Sequence, residues 1–259
     1  MSIIKDFIFL FGGCDLEMLE IKNLLNAYKA SSTSEFQIDF KDHQLQWGAG
    51  LSSYKNDIPA LNAKNIIGIE LIEDIPVPLN YICIDHHSEK SDRPSSLEQV
   101  ADLLKVALDR HQMLVAINDR SYIPGMLEFG ATKEEIDEIR YKDRRAQGIT
   151  ENDEKLAETA LHNAENFGNL IVVFYEGKRF SPITDIVQIK HLIIWNRKTL
   201  TYYGPQTADI KEHYKPLIPK EKFYYGGNPL SFFGLGPDNF SSSEIGIIKD
   251  NMIRIIRND

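Results

Sequence analysis

Phe7 to Phe11 is an unbroken apolar run closed by Gly12-Gly13. A short run of this kind, with a glycine turn behind it, predicts a strand buried on both faces. Apolar residues then recur at Leu16, Leu19, Ile21, Leu24, Leu25 and Tyr28, the spacing of one helix face. Strand, tight turn and helix in that order open an α/β unit with a parallel sheet, because parallel neighbours need a long crossover. The runs Ile66 to Leu71 and Tyr81 to Ile84 repeat the buried-strand pattern. Ser95 to Arg110 predicts a helix, capped by Ser95 or Ser96, with Leu97, Val100, Leu103, Leu104 and Leu108 on its inner face. Met113 to Ile117 predicts another buried strand, giving the order β-α-β-β-α-β.

Beyond Gly130 the pattern changes. Thr132 with Glu135 is a capping-box pair, and the charged helix it starts runs to Gly148. Thr150 starts a second helix, through about Asn166, and the polar stretch as a whole reads as a connector. Strands follow at Leu170 to Tyr175, His191 to Trp195 and Leu200 to Tyr203, and a closing amphipathic helix covers Ser243 to Ile256. The expected fold is α/β. A mainly parallel, doubly wound sheet occupies residues 1–148, including the start of the connector. A smaller mixed α/β domain occupies 149–259, with the site in the cleft between the two lobes.

The chain has 259 residues, 42% of them hydrophobic, enough for a sizeable core. Its formal net charge is -9 and its pI about 5.3. Grooves for long nucleic-acid duplexes are basic, because phosphate neutralisation supplies most of their affinity, so that class of partner is not expected. Two isolated cysteines, Cys14 and Cys83, make no disulfide framework and point to a reducing, cytoplasmic setting. The first apolar run is short and follows Asp6, which favours a strand over a signal peptide. No stretch reaches the roughly 18 to 20 apolar residues that span a bilayer, so no membrane role is expected.

Candidate chemistry collects at the strand ends, where open α/β sheets bind ligands. Asp85-His86-His87 follows the run Tyr81 to Ile84. Carboxylate with imidazole suits Mn, Fe, Co or Zn better than Ca, although a solvated polar turn explains the tripeptide as well. The other strands also end in acids: Asp15 and Glu17 after the first, Glu70 after the second, Asp119 after the last. Gathered acids repel one another unless a cation sits among them. Each taken alone can equally be a helix cap or a solvated turn, and Asp15 is well placed to be an N-cap.

With Ile84-Asp85-His86-His87 on an apolar strand and a serine-capped helix behind it, the chain resembles the DHH phosphoesterases. That family includes single-strand exonucleases, small-oligonucleotide and cyclic-dinucleotide phosphodiesterases, and certain inorganic pyrophosphatases. The resemblance spans about residues 7 to 130. It implies a D-x-D pair, here Asp15-Leu16-Glu17 with Glu in second place. It further implies a second-strand acid, Glu70 or Glu73, and a last acid, Asp119. On this basis Asp15, Glu17, Glu70, His86, His87 and Asp119 are the expected metal ligands. The expected metal is Mn, with Mg, Co or Zn as alternatives, and Asp85 either ligates it or orients a ligating histidine.

The chain departs from the family pattern in two places. Gly12 stands at a position that many members fill with His. The family's C-terminal domain usually carries a Gly-Gly-Gly-His phosphate segment, and here Tyr225-Gly226-Gly227-Asn228-Pro229 occupies the comparable place in a degenerate form. Gly226, Gly227 and Asn228 are therefore candidate substrate contacts, or a plain turn. Arg120 is a candidate catalytic and substrate-binding cation beside Asp119, or half of an ion pair. Lys90 and Arg93 read as solvated loop positions, Arg144 and Arg145 as a helix surface. Tyr202, Tyr203, Tyr224, Tyr225, Phe232 and Phe233 read mainly as core. The resemblance implies a phosphohydrolase with Asp85, His86 and Arg120 in catalysis. Its substrate would be a small phosphorylated molecule or short single-stranded oligonucleotide: a dinucleotide or pyrophosphate fits. The alternative is a nucleotide sensor of the same fold with weakened catalysis.

Overall fold

Alternation along the first strand fixes how the N-terminal unit is layered. In the computed structural model, which describes residues 6–31, 35–61, 64–177, 179–187, 191–227 and 231–257, β1 is Asp6–Phe11. Phe7, Phe9 and Phe11 point to one face, into a core shared with helices. Ile8 and Leu10 point to the other and pack with Leu51, Tyr54, Leu61, Ile66 and Leu71. Both faces are thus covered, as a parallel sheet requires.

β2 (Gln37–Lys41), β3 (Asn65–Ile69) and β4 (Tyr81–Ile84) complete a sheet of order β2-β1-β3-β4. Every pairing in it is parallel. Four helices build the helical face: α1 (Leu16–Ala30), α2 (Ser96–Leu104), α3 (Arg110–Glu128) and α4 (Lys133–Ala146). The other face is closed by short 3-10 turns at Leu51–Tyr54 and Ile58–Leu61. There the buried Tyr54 hydroxyl donates to the Phe11 carbonyl at 2.8 Å.

Two expectations are corrected here, and one strand is added. Met113 to Ile117 is not a strand but lies within α3. Asp109 and Gln112 form a capping box that starts this helix. The run from Leu114 to Ile117 is buried throughout, packed within the core formed by the helices. Burial on all sides removes the helical periodicity that would have identified it. Asp119, expected at a strand end, accordingly sits on a helix. Second, the helix expected from Ser95 to Arg110 stops at Leu104, where Lys105 turns left-handed at φ 55. The added strand, β2, carries a period-two signature, Ile38 and Phe40 between polar residues. As an edge strand it is only half-buried, which keeps the signal faint.

The chain divides into two compact units, Met1–Gly148 and Ile149–Asp259. α4, expected as a connector, belongs to the first, with Ile136 and Ile139 in its core. The second unit runs α5 (Glu151–His162), β5 (Glu165–Asn166), β6 (Leu170–Phe174), α6 (Ser181–Thr184), β7 (His191–Trp195), β8 (Leu200–Tyr203), α7 (Thr207–Tyr214), β9 (Phe223–Gly226), β10 (Phe232–Leu235) and α8 (Ser242–Arg257). Its own sheet has order β5-β6-β7-β8-β10-β9. Only β6 and β7 pair in parallel; every other pair is antiparallel. Among the described residues no helix is long and apolar enough to cross a membrane.

Candidate metal centre

Four elements of the first unit deliver side chains to the carboxyl edge of its sheet. β1 ends at Gly12-Gly13 and feeds α1, where Asp15 is the N-cap, its Oδ1 accepting from Met18 N at 2.9 Å. Glu17 follows in the first turn, 1% exposed. β3 ends at Glu70, which adopts φ 51, a left-handed conformation that non-glycine residues avoid. β4 ends at Asp85-His86-His87. Asp119 comes from α3.

The imidazole of His86 is the hub. Its Nε2 lies 2.6 Å from Asp119 Oδ2, 3.5 Å from Glu70 Oε1 and 3.8 Å from Glu17 Oε2. One ligand atom from each of Glu70, His86, His87 and Asp119 lies within 4.8 Å of every other. Asp15 and Glu17 border this set of four. Asp15 repels Asp119 and Glu70 but spends one oxygen as a helix cap.

Arg120 donates to Glu98 Oε2 at 3.1 Å, so it forms the ion pair that was its alternative reading. Gly226 and Gly227 belong to the second unit, where Gly227 turns the chain at φ 84 after β9. Asn228 lies outside the described residues.

Asp85, expected to ligate or to orient a histidine, and neighbours that the sequence did not single out hold these ligands in place. The start of α2 supplies two: Ser96 Oγ donates to Glu70 Oε1 at 2.8 Å, and Leu97 N donates to Glu17 Oε1 at 2.9 Å. Asp85 Oδ1 accepts from His87 N at 3.0 Å and lies 3.2 Å from His87 Nδ1. The same Nδ1 lies 3.8 Å from Glu70 Oε2, so Asp85 orients the ring beside the cluster. Lys90, read as a solvated residue, instead donates to Asp85 Oδ2 at 2.9 Å and approaches Cys83 Sγ at 3.0 Å. Beneath α3, buried Arg140 bridges Asn118 Oδ1 and Asp143 Oδ2 at 2.9 and 2.7 Å, bracing the turn that carries Asp119. Buried hydrogen-bond bridges of this kind leave no pattern in the sequence.

The electrostatics suit a divalent cation. Glu17 Oε2, His86 Nε2 and Asp119 Oδ2 are buried without a hydrogen-bond partner. The 2.6 Å approach of His86 to Asp119 is thus a convergence of ligand atoms rather than a well-aligned hydrogen bond. Burial, reinforced by Asp119 and Glu70, pushes Asp15 up to about 8. Burial likewise raises Glu17 and Asp119. Burial opposes charge on His86, but Asp119, Glu17 and Glu70 outweigh it and hold the ring's pKa up at about 12. Without an ion the histidine serves as the counter-charge; a divalent ion would take that place. The nitrogen and carboxylate donor set suits Mn, Fe, Co or Zn.

These shifts set a pH dependence. Asp15, raised from 3.8 to about 8, binds more protons folded than unfolded between those values. His86, raised from 6.5 to about 12, does so above 6.5. Both make metal-free protein less stable as pH rises from 6.5 to 8. Metal binding strengthens over the same interval, because ligands must lose protons. In thermal melts at the two ends of that interval, the metal-free midpoint is expected to fall with pH. The rise on adding Mn²⁺ should grow, toward roughly 5 to 10 °C when metal is in about hundredfold excess over Kd. A metal-free midpoint that climbs with pH would contradict this arrangement.

No family model matches the chain, and no curated protein matches it in sequence. Solved structures do match. A pGpG-specific phosphodiesterase from Vibrio cholerae aligns with TM-score 0.50 at 12% identity, over 98% of this chain and 99% of that one. The fold is that of the DHH phosphoesterases. A DHH domain from a member of the s1p family of ribosomal proteins aligns with TM-score 0.50 at 13% identity, over 96% of this chain and 86% of the other. At such identities the likeness to the DHH proteins is one of fold; the site rests on the geometry above.

Proposed function

We propose that this protein is a divalent-metal-dependent phosphoesterase that hydrolyses a phosphodiester or phosphoanhydride bond in a small substrate. The observation that carries the reading is the convergence of Glu70, His86, His87 and Asp119 at the carboxyl edge of a parallel sheet, with His86 Nε2 and Asp119 Oδ2 buried without a hydrogen-bond partner. These four would hold the ion, with Glu17 and Asp15 beside them. A bound divalent ion supplies Lewis acidity, lowering the pKa of a water and polarising a phosphoryl oxygen.

The protein's own groups do the positioning. Lys90 holds Asp85, Asp85 holds His87, and the start of α2 holds Glu70 and Glu17. Arg120 is a residue away from Asp119, and its pair with Glu98 is partly exposed. Such pairs are worth about 0 to 1 kcal/mol, so a substrate phosphate can displace Glu98 at small cost. Gly226, Gly227 and Asn228 remain the proposed phosphate contacts of the second unit. The net charge of -9 favours a short substrate over a long nucleic acid.

A linear dinucleotide, the substrate named for the Vibrio cholerae neighbour, is the first to assay, followed by short oligoribonucleotides and pyrophosphate. Turnover is expected with Mn²⁺ and lost with a chelator. If neither Mn²⁺, Mg²⁺, Co²⁺ nor Zn²⁺ supports turnover of any of them, the hydrolase reading fails. Nucleotide binding without turnover would then favour the sensor.

A further inference from the structure

Beside the metal centre stands an aromatic ring that the centre does not use. Trp47 is 71% exposed, on the loop that follows β2. Its ring centroid lies 6.0 Å from that of His87, with the planes at 73°. A cavity of about 500 Å³ opens here, within the roughly 300 to 1,000 Å³ of small-molecule sites. Glu70 and His87 contribute to its lining, and so do Trp47 and the exposed Ile72. Metal ligands and an indole therefore share one chamber.

An exposed indole on a mobile loop would mean little, but this loop is fastened. Leu51 N donates to Ile72 O at 2.8 Å, and Ile72 N donates to Ala49 O at 3.0 Å, stitching the loop to the chain that leaves β3. Asp74 Oδ1 accepts from Ser52 N at 2.9 Å. Gly48 makes the turn at φ 83, open to glycine at no steric cost. Gly50 lies so close to the Asp74 carboxylate that a side chain there would displace it. The backbone around the indole is thus set by the same segment that positions Glu70, while the ring itself faces solvent.

We propose that Trp47 is the stacking platform for a nucleobase of the substrate, whose neighbouring phosphate would face the cation that Glu70 and His87 would hold. Every base has a π-face, and stacking on an aromatic side chain contributes about 1 to 3 kcal/mol per base. Glu73 and Glu89 on the rim of the cavity are acceptors, suited to a base edge that presents N–H donors. Guanine offers two side by side, N1–H and N2–H. This rests on the phosphoesterase reading and narrows it: the substrate carries a base, so pyrophosphate is not the preferred one.

The chain has two tryptophans, so Trp195→Phe in the second unit leaves Trp47 as the sole indole reporter. The full-length variant is titrated with GMP and with ribose 5-phosphate in the presence of Mg²⁺. GMP is expected to quench the fluorescence saturably, and ribose 5-phosphate is not. Calorimetry on the otherwise wild-type chain gives a second measurement. Trp47→Ala should lower the GMP preference over ribose 5-phosphate about tenfold, and Trp47→Phe should retain most of it. An unquenched indole, or an unchanged preference in Trp47→Ala, overturns the platform. The two readings fail separately. Dinucleotide hydrolysis with an unquenched Trp47 overturns the platform alone. Saturable quenching by GMP with no hydrolysis of any substrate supports the platform and overturns the phosphoesterase.

Discussion

His86→Ala is expected to lower Mn²⁺ affinity by about 100-fold or more while the protein stays folded. Altering a group that merely orients a metal ligand costs roughly 10- to 100-fold in affinity. His86 lies within 4 Å of three carboxylates, so its loss removes the hub of the site. The surrounding core does not depend on it. β1 places Phe7, Phe9 and Phe11 among the helices, and those contacts remain. The freed acids regain protons, which relieves their repulsion. Calorimetric titration with Mn²⁺ reads the affinity, and far-ultraviolet circular dichroism reads the fold. Wild-type affinity in the variant would contradict the assignment.

Gly12→Ala is the second large effect. A Cβ at Gly12 would run into the carbonyl oxygens of Ile69 and Glu70. Both obstacles are backbone, so the end of β3 must move and carry the Glu70 carboxylate out of the cluster. Glu70 already sits at φ 51, a conformation that costs of order 1 to 3 kcal/mol and persists only where its surroundings enforce it. We expect a loss of about 3 kcal/mol or more in urea unfolding, at the upper end of overpacking effects, together with weakened Mn²⁺ binding. Gly13→Ala is the control. Its Cβ would meet Met18 Cγ at 3.5 Å, an ordinary contact, so the change should stay within about 1 kcal/mol. Equal effects at the two positions would contradict the packing argument. The same contact leaves no room at Gly12 for the imidazole that many DHH proteins carry there.

The order of strands was legible because parallel strands read as continuous apolar runs: β1, β3, β4, β6 and β7 all announce themselves this way, although β4, expected to be buried, is an edge strand with Ile84 buried and Ile82 exposed. The stretch from Leu114 to Ile117 gives the same signal for a different reason, being helix buried on every side. Apolar content alone does not separate the two. Even so, the acid that follows the run, Asp119, lies 2.6 Å from His86, because this turn of α3 reaches the carboxyl edge of the sheet. The supporting residues were not legible. Lys90, Ser96, Arg140 and Asp143 act through pairings between residues distant in the chain or turned inward by the fold. As isolated letters they are indistinguishable from solvated polar residues. Trp47 was silent for the same reason: its meaning lies in the chamber it shares with His87.

The central claim is that one divalent ion site is built from Glu70, His86, His87 and Asp119. Anomalous diffraction from crystals grown with Mn²⁺ tests it most directly. The expected result is a peak bounded by those four side chains, at roughly 2.0 to 2.2 Å from their ligand atoms. Crystals that give a Mn²⁺ peak elsewhere, or none at saturating metal, would contradict it.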